Sequence, residues 1–151
     1  MATFHPTIPP GFGNIIRSSP VLEALGGFMS RGSGKSLEIG LLVGSKHLNT
    51  RGRLHGGITA ILCDVGIGYI VSARADGRRQ ITASMTINYR SAAYFDEWVQ
   101  VELDRTEQNG RKTLAYGRLL SGDRLVAETS ILFVEPSNSF KTSTLQNKTT
   151  P

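Results

Sequence analysis

The stretch Asn49-Thr-Arg-Gly-Arg-Leu-His55-Gly56-Gly57 places an amide, an imidazole and two glycines where an apolar helical run begins. A single acid, Asp64, interrupts that run about two and a half turns later. Unpaired N–H groups at a helix start favour negative charge, and a carboxylate can act as nucleophile or general base. The spacing therefore has the character of an active site. The competing reading is structural: most buried acids simply pair with an arginine or cap a loop.

The element that positions these groups is a long helix. Leu54, Ile58, Ile61, Leu62, Val65 and Ile70 recur at three- and four-residue steps, so the helix runs from Leu54 to about Arg74. Asp76-Gly77 stops it. One turn from Asp64 stand Ala60, Ile61, Ile67 and Gly68, so the acid is expected to be buried among apolar neighbours.

Nine residues at about 100° each set Asp64 on the face opposite His55 and about 13 Å further along the axis. The two cannot share a site within one chain. If both serve chemistry, a second copy brings its Asp64 to the first copy's His55-Gly56 turn, which predicts an isologous dimer with two equivalent interface sites. Gly56, Gly57, Gly66 and Gly68 fit two helices approaching closely, and Gly66 and Gly68 fit equally well a helix packed tightly on its own sheet.

After the helix the chain reads as an antiparallel sheet. Ile81, Ala83, Met85, Ile87 and Tyr89 alternate with Thr82, Ser84, Thr86, Asn88 and Arg90, predicting one apolar and one hydroxyl-rich side. Val99, Val101 and Leu103 repeat the pattern. Asn109-Gly110 marks a hairpin returning through Leu114 to Leu120, and Gly122-Asp123 turns the chain into Leu125 to Val134. Before the helix, Ser36 to Val43 supplies a strand and Pro20 to Met29 a short leading helix. The resulting class is α+β, with one long helix covering one face of a curved antiparallel sheet.

These residues resemble a known family. Asn49, Leu54-His55-Gly56-Gly57, Asp64 and Ser84-Met85-Thr86-Ile87-Asn88-Tyr89 resemble the hotdog-fold thioesterases of the phenylacetate-pathway and human thioesterase-superfamily type, which include a bacterial 4-hydroxybenzoyl-CoA thioesterase. The resemblance covers roughly Leu37 to Val134, and the combined motif is far more specific than His-Gly-Gly alone. It implies hydrolysis of an acyl-CoA thioester by a homodimer or homotetramer whose sheet continues across the dimer, without metal or cofactor.

By the same resemblance, the Gly56 N–H is the oxyanion donor, Asn49 holds a matching polar position, and a hydroxyl near Thr82 holds the catalytic water or carboxylate. Each has an alternative: a helix start with glycines for steric reasons, a turn-forming Asn, and β-propensity for Thr82 and Ser84. His55 either polarises the carbonyl or fixes the loop; a positioning role is preferred, because Asp64 already supplies a titrating group. Asp64 acts as nucleophile or general base, and sequence leaves both open. Gly57, Ser84, Arg90, Arg111 and Lys112 complete the expected substrate-binding set, the cations being candidates for the CoA phosphates.

Composition sets the bounds. The chain has 151 residues, 39% hydrophobic, which suits one domain, read as an extension over 1–17, a domain over 18–135 and a disordered tail over 136–151. The formal net charge of +5 favours anionic partners. No helix-turn-helix, finger or RNP pattern points to nucleic acid. The N-terminal stretch resembles no signal or transit peptide, no apolar run approaches the ~20 residues of a membrane span, and a cytoplasmic location is the default. Cys63, the one cysteine, is expected to be a small buried side chain.

Two imitations fail. Gly34-Lys35-Ser36 ends like a phosphate-binding P-loop, but Met29 stands where its first glycine belongs. No Gly-x-Ser-x-Gly elbow accompanies His-Gly-Gly, and His5, His47 and His55 lack zinc-ligand spacing. Two other function classes stay open: a hotdog hydratase or dehydratase acting on acyl thioesters, and a noncatalytic acyl-CoA-binding protein.

Overall fold

A computed structural model describes residues 8–137, so residues 1–7 of the expected extension and all but the first two residues of the tail expected over 136–151 lie outside the described residues. One long helix, α2 (Gly56–Arg74), packs on one face of a seven-stranded antiparallel sheet of order β1-β2-β3-β5-β6-β7-β4. The strands are β1 (Gly13–Asn14), β2 (Phe28–Arg31), β3 (Glu38–Leu42), β4 (Ile81–Tyr89), β5 (Trp98–Asn109), β6 (Lys112–Ser121) and β7 (Arg124–Val134). This is the hotdog layout.

The helix forms where periodicity places it, and Leu62, Cys63 and Ile67 are completely buried against the sheet. It ends as expected: Asp76 and Gly77 take positive φ, and the Gly77 N–H returns to the Ser72 carbonyl at 2.8 Å, closing the last turn. By length and composition α2 could cross a membrane, contrary to the expectation that no run comes near that length. In this fold Ile58, Leu62, Ile67, Ile70 and Val71 of the helix are buried in the core beneath it.

The sheet contains two strands that the sequence pattern missed. The expected helix over Pro20–Met29 is α1 (Pro20–Leu25) only, because Gly26 and Gly27 both take positive φ and redirect the chain. Phe28 and Ser30 then bury alternately as β2. The strand expected from Ser36 begins at Glu38, since Gly34–Ser36 form a 3-10 turn. The Asn109-Gly110 hairpin forms as read, with Asn109 opposite Lys112 and Gly110 at φ 57°.

Helix and sheet meet where side chains are missing. A Cβ on Gly66 would overlap Val101 Cγ2, and one on Gly117 would overlap Ile67 Cδ1. On Gly68 it would lie 3.4 Å from Phe133 Cε1. Gly66 thus seats α2 closely on its own sheet, the packing reading of the two, and Gly68 faces the same sheet at ordinary contact distance.

A β-bulge in β4 decides where its side chains point. Thr82 pairs with Phe133 and Ser84 with Leu132, leaving Ala83 as the extra residue. Facing residues of an antiparallel pair share a side. Thr82, Met85, Ile87 and Tyr89 therefore share the helix side with the buried Phe133, Ile131, Thr129 and Ala127. Ser84, Thr86 and Asn88 turn away. The strict alternation expected over Ile81 to Arg90 is broken at this single residue.

Candidate active site

The turn before α2 is built by hydrogen bonds that fix its polar groups. Asn49 Oδ1 accepts from the backbone N–H of Arg51 at 2.9 Å and of Arg53 at 3.2 Å, and the Asn49 N–H donates to the Arg53 carbonyl at 2.8 Å. The Asn49 side-chain oxygen is a turn former, as the simpler reading held. His55 is the N-cap of α2, and its N–H donates to the buried His47 carbonyl at 2.8 Å. Its Nδ1 accepts from the Gly57 N–H at 2.9 Å. A neutral ring so held carries its proton on Nε2, a donor pointing away from the turn. The Gly57 amide is thereby engaged, while the Gly56 N–H has no hydrogen-bond partner among the described residues.

The carboxylate is set from the other end of β4. Thr82 Oγ1 donates to Asp64 Oδ1 at 2.6 Å, a short, charge-assisted bond. Asp64 is half-buried, less than the burial expected from its apolar neighbours, because its side of the helix faces the open edge of β4. Next to it, burial pushes the Cys63 thiol up to about 12, and the Asp64 charge adds to the shift. Cys63 stays protonated at neutral pH and serves packing.

Within one chain the turn and the carboxylate stay apart. They are eight residues from Gly56 to Asp64 on one continuous helix, about 12 Å along its axis. β4, the strand that spans that gap, exposes apolar side chains at both ends: Ile81 is 55% and Tyr89 58% exposed.

Against known proteins, the family model of the thioesterase superfamily matches residues 51–128. A Pseudomonas aeruginosa protein named "Putative esterase" is 34% identical over 131 residues, 85% of this chain and 98% of its own length. The chain belongs to the thioesterase superfamily. A variant of the phenylacetic acid degradation protein PaaI from Thermus thermophilus superposes with a TM-score of 0.69 at 19% identity, covering 78% of this chain and 100% of that one. A Bacillus halodurans protein solved with CoA gives 0.66 at 21% identity, covering 78% and 76%. At these identities the two structures establish a shared fold.

For a thioesterase-superfamily chain, the expected site residues fall into two groups that come together and one that does not. His55, Gly56 and Gly57 form one turn with Asn49 in the loop leading to it; Asp64 and Thr82 form a pair. Ser84 stands on the side of β4 away from the helix. Arg90 is paired with Glu128 at 2.7 Å. The Arg111 guanidinium donates to the Glu135 carbonyl at 2.6 Å, and Lys112 is exposed. Arg90 follows the C-terminal end of β4, whereas Lys112 and Ile81 both face Val134 at its N-terminal end. That is roughly 26 Å of strand, so the three cations cannot hold one phosphate group together.

One residue of the site was missed. Tyr89 donates its hydroxyl to the Gly56 carbonyl at 2.9 Å, and its hydroxyl oxygen and ring edge lie 3.4 and 3.5 Å from where a Gly56 Cβ would be. The available signal was a polar-tipped aromatic closing the alternation of β4.

Proposed function

We propose that this protein hydrolyses an acyl-CoA thioester to CoA and a carboxylic acid at a site completed by two chains. The observation that carries the reading is the Thr82–Asp64 hydrogen bond: it restrains one carboxylate oxygen and leaves Oδ2 available for chemistry. Family membership, CoA in the structure of the Bacillus halodurans neighbour, and a net charge of +5 support the substrate class.

In this reading two copies join through the open edge of β4, which satisfies its unpaired backbone groups and covers Ile81 and Tyr89. Asp64 of the partner subunit then meets the Gly56 turn. The thioester carbonyl oxygen receives the Gly56 N–H, backed by the positive end of α2.

Asp64 follows one of two balanced routes. As nucleophile it adds to the carbonyl carbon, the tetrahedral intermediate expels CoA as the thiolate, and water cleaves the resulting anhydride to release the acid, the remaining proton passing to the thiolate and leaving Asp64 as the carboxylate. As general base it takes a proton from water, which adds to the carbonyl; collapse expels the CoA sulfur, which takes up the proton held on Asp64 and restores the carboxylate. The acyl group is open to either an aryl or an aliphatic chain.

The test is release of free CoA thiol across aryl and aliphatic acyl-CoAs. In that assay Thr82→Val, which keeps the shape but deletes the donor, is expected to lose roughly tenfold in turnover. An unchanged rate would remove Thr82 from the site. No thiol release from any acyl-CoA by the parent protein would reject the reading.

A further inference from the structure

We propose that Tyr89 is a positioning residue for the oxyanion turn, so that a single edge strand, β4, sets both halves of the site through two hydroxyl groups. The proposal rests on the thioesterase reading and adds a residue and a device to it.

Glycine has no side chain to restrict its peptide planes, so the first turn of α2, closed by the helix's own hydrogen bonds, is steadied further by a restraint from outside the helix on Gly56. Tyr89 supplies that restraint: its ring edge lies against Gly56 and its hydroxyl grips the Gly56 carbonyl at 2.9 Å. The same peptide unit carries the Gly57 N–H, which donates to His55 Nδ1 at 2.9 Å. A chain of hydrogen bonds therefore runs from the phenol, through one peptide, to the imidazole. A donor on the carbonyl polarises the peptide and strengthens its N–H, so the phenol steadies the ring whose Nε2–H faces outward. Pinning the Gly56 carbonyl also fixes the residue whose own N–H is the unengaged one.

The bulge makes this arrangement possible. Thr82 and Tyr89 are seven residues apart, an odd number, and in a regular strand they would face opposite sides. The extra residue Ala83 restores them to one side, facing α2, where Thr82 reaches Asp64 and Tyr89 reaches Gly56. The strand that aligns the turn and the carboxylate within each chain is also the one whose open edge faces a second copy. Its register then sets how Asp64 of the partner subunit meets the turn.

The test uses Tyr89→Phe, which removes one hydroxyl and keeps the ring. With the full chain, kcat is expected to fall on the order of tenfold while KM stays within about twofold, since removing a direct oxyanion donor costs roughly a hundredfold or more and this effect is indirect. A second readout is independent of turnover. In an Asp64→Asn background, the carbonyl stretch of a bound carbon-13-labelled aryl thioester should be red-shifted, and adding Tyr89→Phe should reduce that shift.

Unchanged kcat and an unchanged stretch would overturn the proposal. If Tyr89→Phe does not fold, 3-fluorotyrosine placed at position 89 keeps ring and hydroxyl but donates more strongly. It should raise the red shift, and no change would equally overturn the proposal. A parent protein with neither a carbonyl shift nor thiol release overturns instead the thioesterase reading beneath it.

Discussion

Asp64→Asn is expected to lower acyl-CoA turnover by on the order of a hundredfold or more while leaving the fold and the assembly intact. The side-chain amide has the volume of the carboxylate, and its oxygen still accepts the Thr82 hydroxyl that now sits 2.6 Å away. What disappears is a group able to attack a carbonyl or to take a proton from water. The loss should therefore fall on kcat, with substrate affinity nearly constant. Free CoA thiol measured at saturating substrate, together with the association state of the variant, checks this. Near-parental turnover would remove the acid from the chemistry and reject the role assigned to it.

Phe133→Ala should produce the largest loss of stability, about 3–5 kcal/mol. Phe133 is 2% exposed, lies 3.4 Å from the Cβ position of Gly68, and faces Thr82 across the β7–β4 register. Truncation leaves a cavity between the helix and the strand that carries Thr82, and the closely packed helix–sheet contact cannot collapse to fill it. Urea unfolding followed by circular dichroism at fixed protein concentration would measure the change. A loss below about 1 kcal/mol would mean that the contact between helix and β7 is not the rigid seat described above.

The elements that place the site were largely legible, and the reason is periodicity. The 3.6-residue recurrence of Ile58, Leu62 and Ile70 and the Asp76-Gly77 stop define α2 locally, and Asn109-Gly110 defines its hairpin. The early strands were not legible, because β1 and β2 are two and four residues long and depend on partners for their existence. Within the site, local chemistry was readable and long-range contact was not. His55, Gly56 and Gly57 form a turn that sequence neighbours build. Tyr89 reaches Gly56 across thirty-three positions, and a polar-tipped aromatic at the end of a strand does not say which residue it meets.

The bulge at Ala83 illustrates the same limit. A period of two treats Thr82 and Ser84 as equivalents, yet one extra residue aims Thr82 at Asp64 and turns Ser84 away. Glycine is a further case: Gly66 reads as a close approach, but only the position of Val101 says what approaches. The basic residues were placed by strand ends, and strand ends far apart in the sheet look alike in sequence.

In the proposed enzyme each site takes its turn from one chain and its carboxylate from another. Gly56→Pro deletes the N–H at a helix position that accepts proline, with His55 already in the extended conformation a following proline requires. Dimers carrying Gly56→Pro on both chains, or Asp64→Asn on both, should be nearly inactive. A purified mixed dimer, with one substitution on each chain, keeps one complete site and should regain about half of the parent rate of thiol release. A mixed dimer as inactive as the two single-variant dimers would contradict the claim.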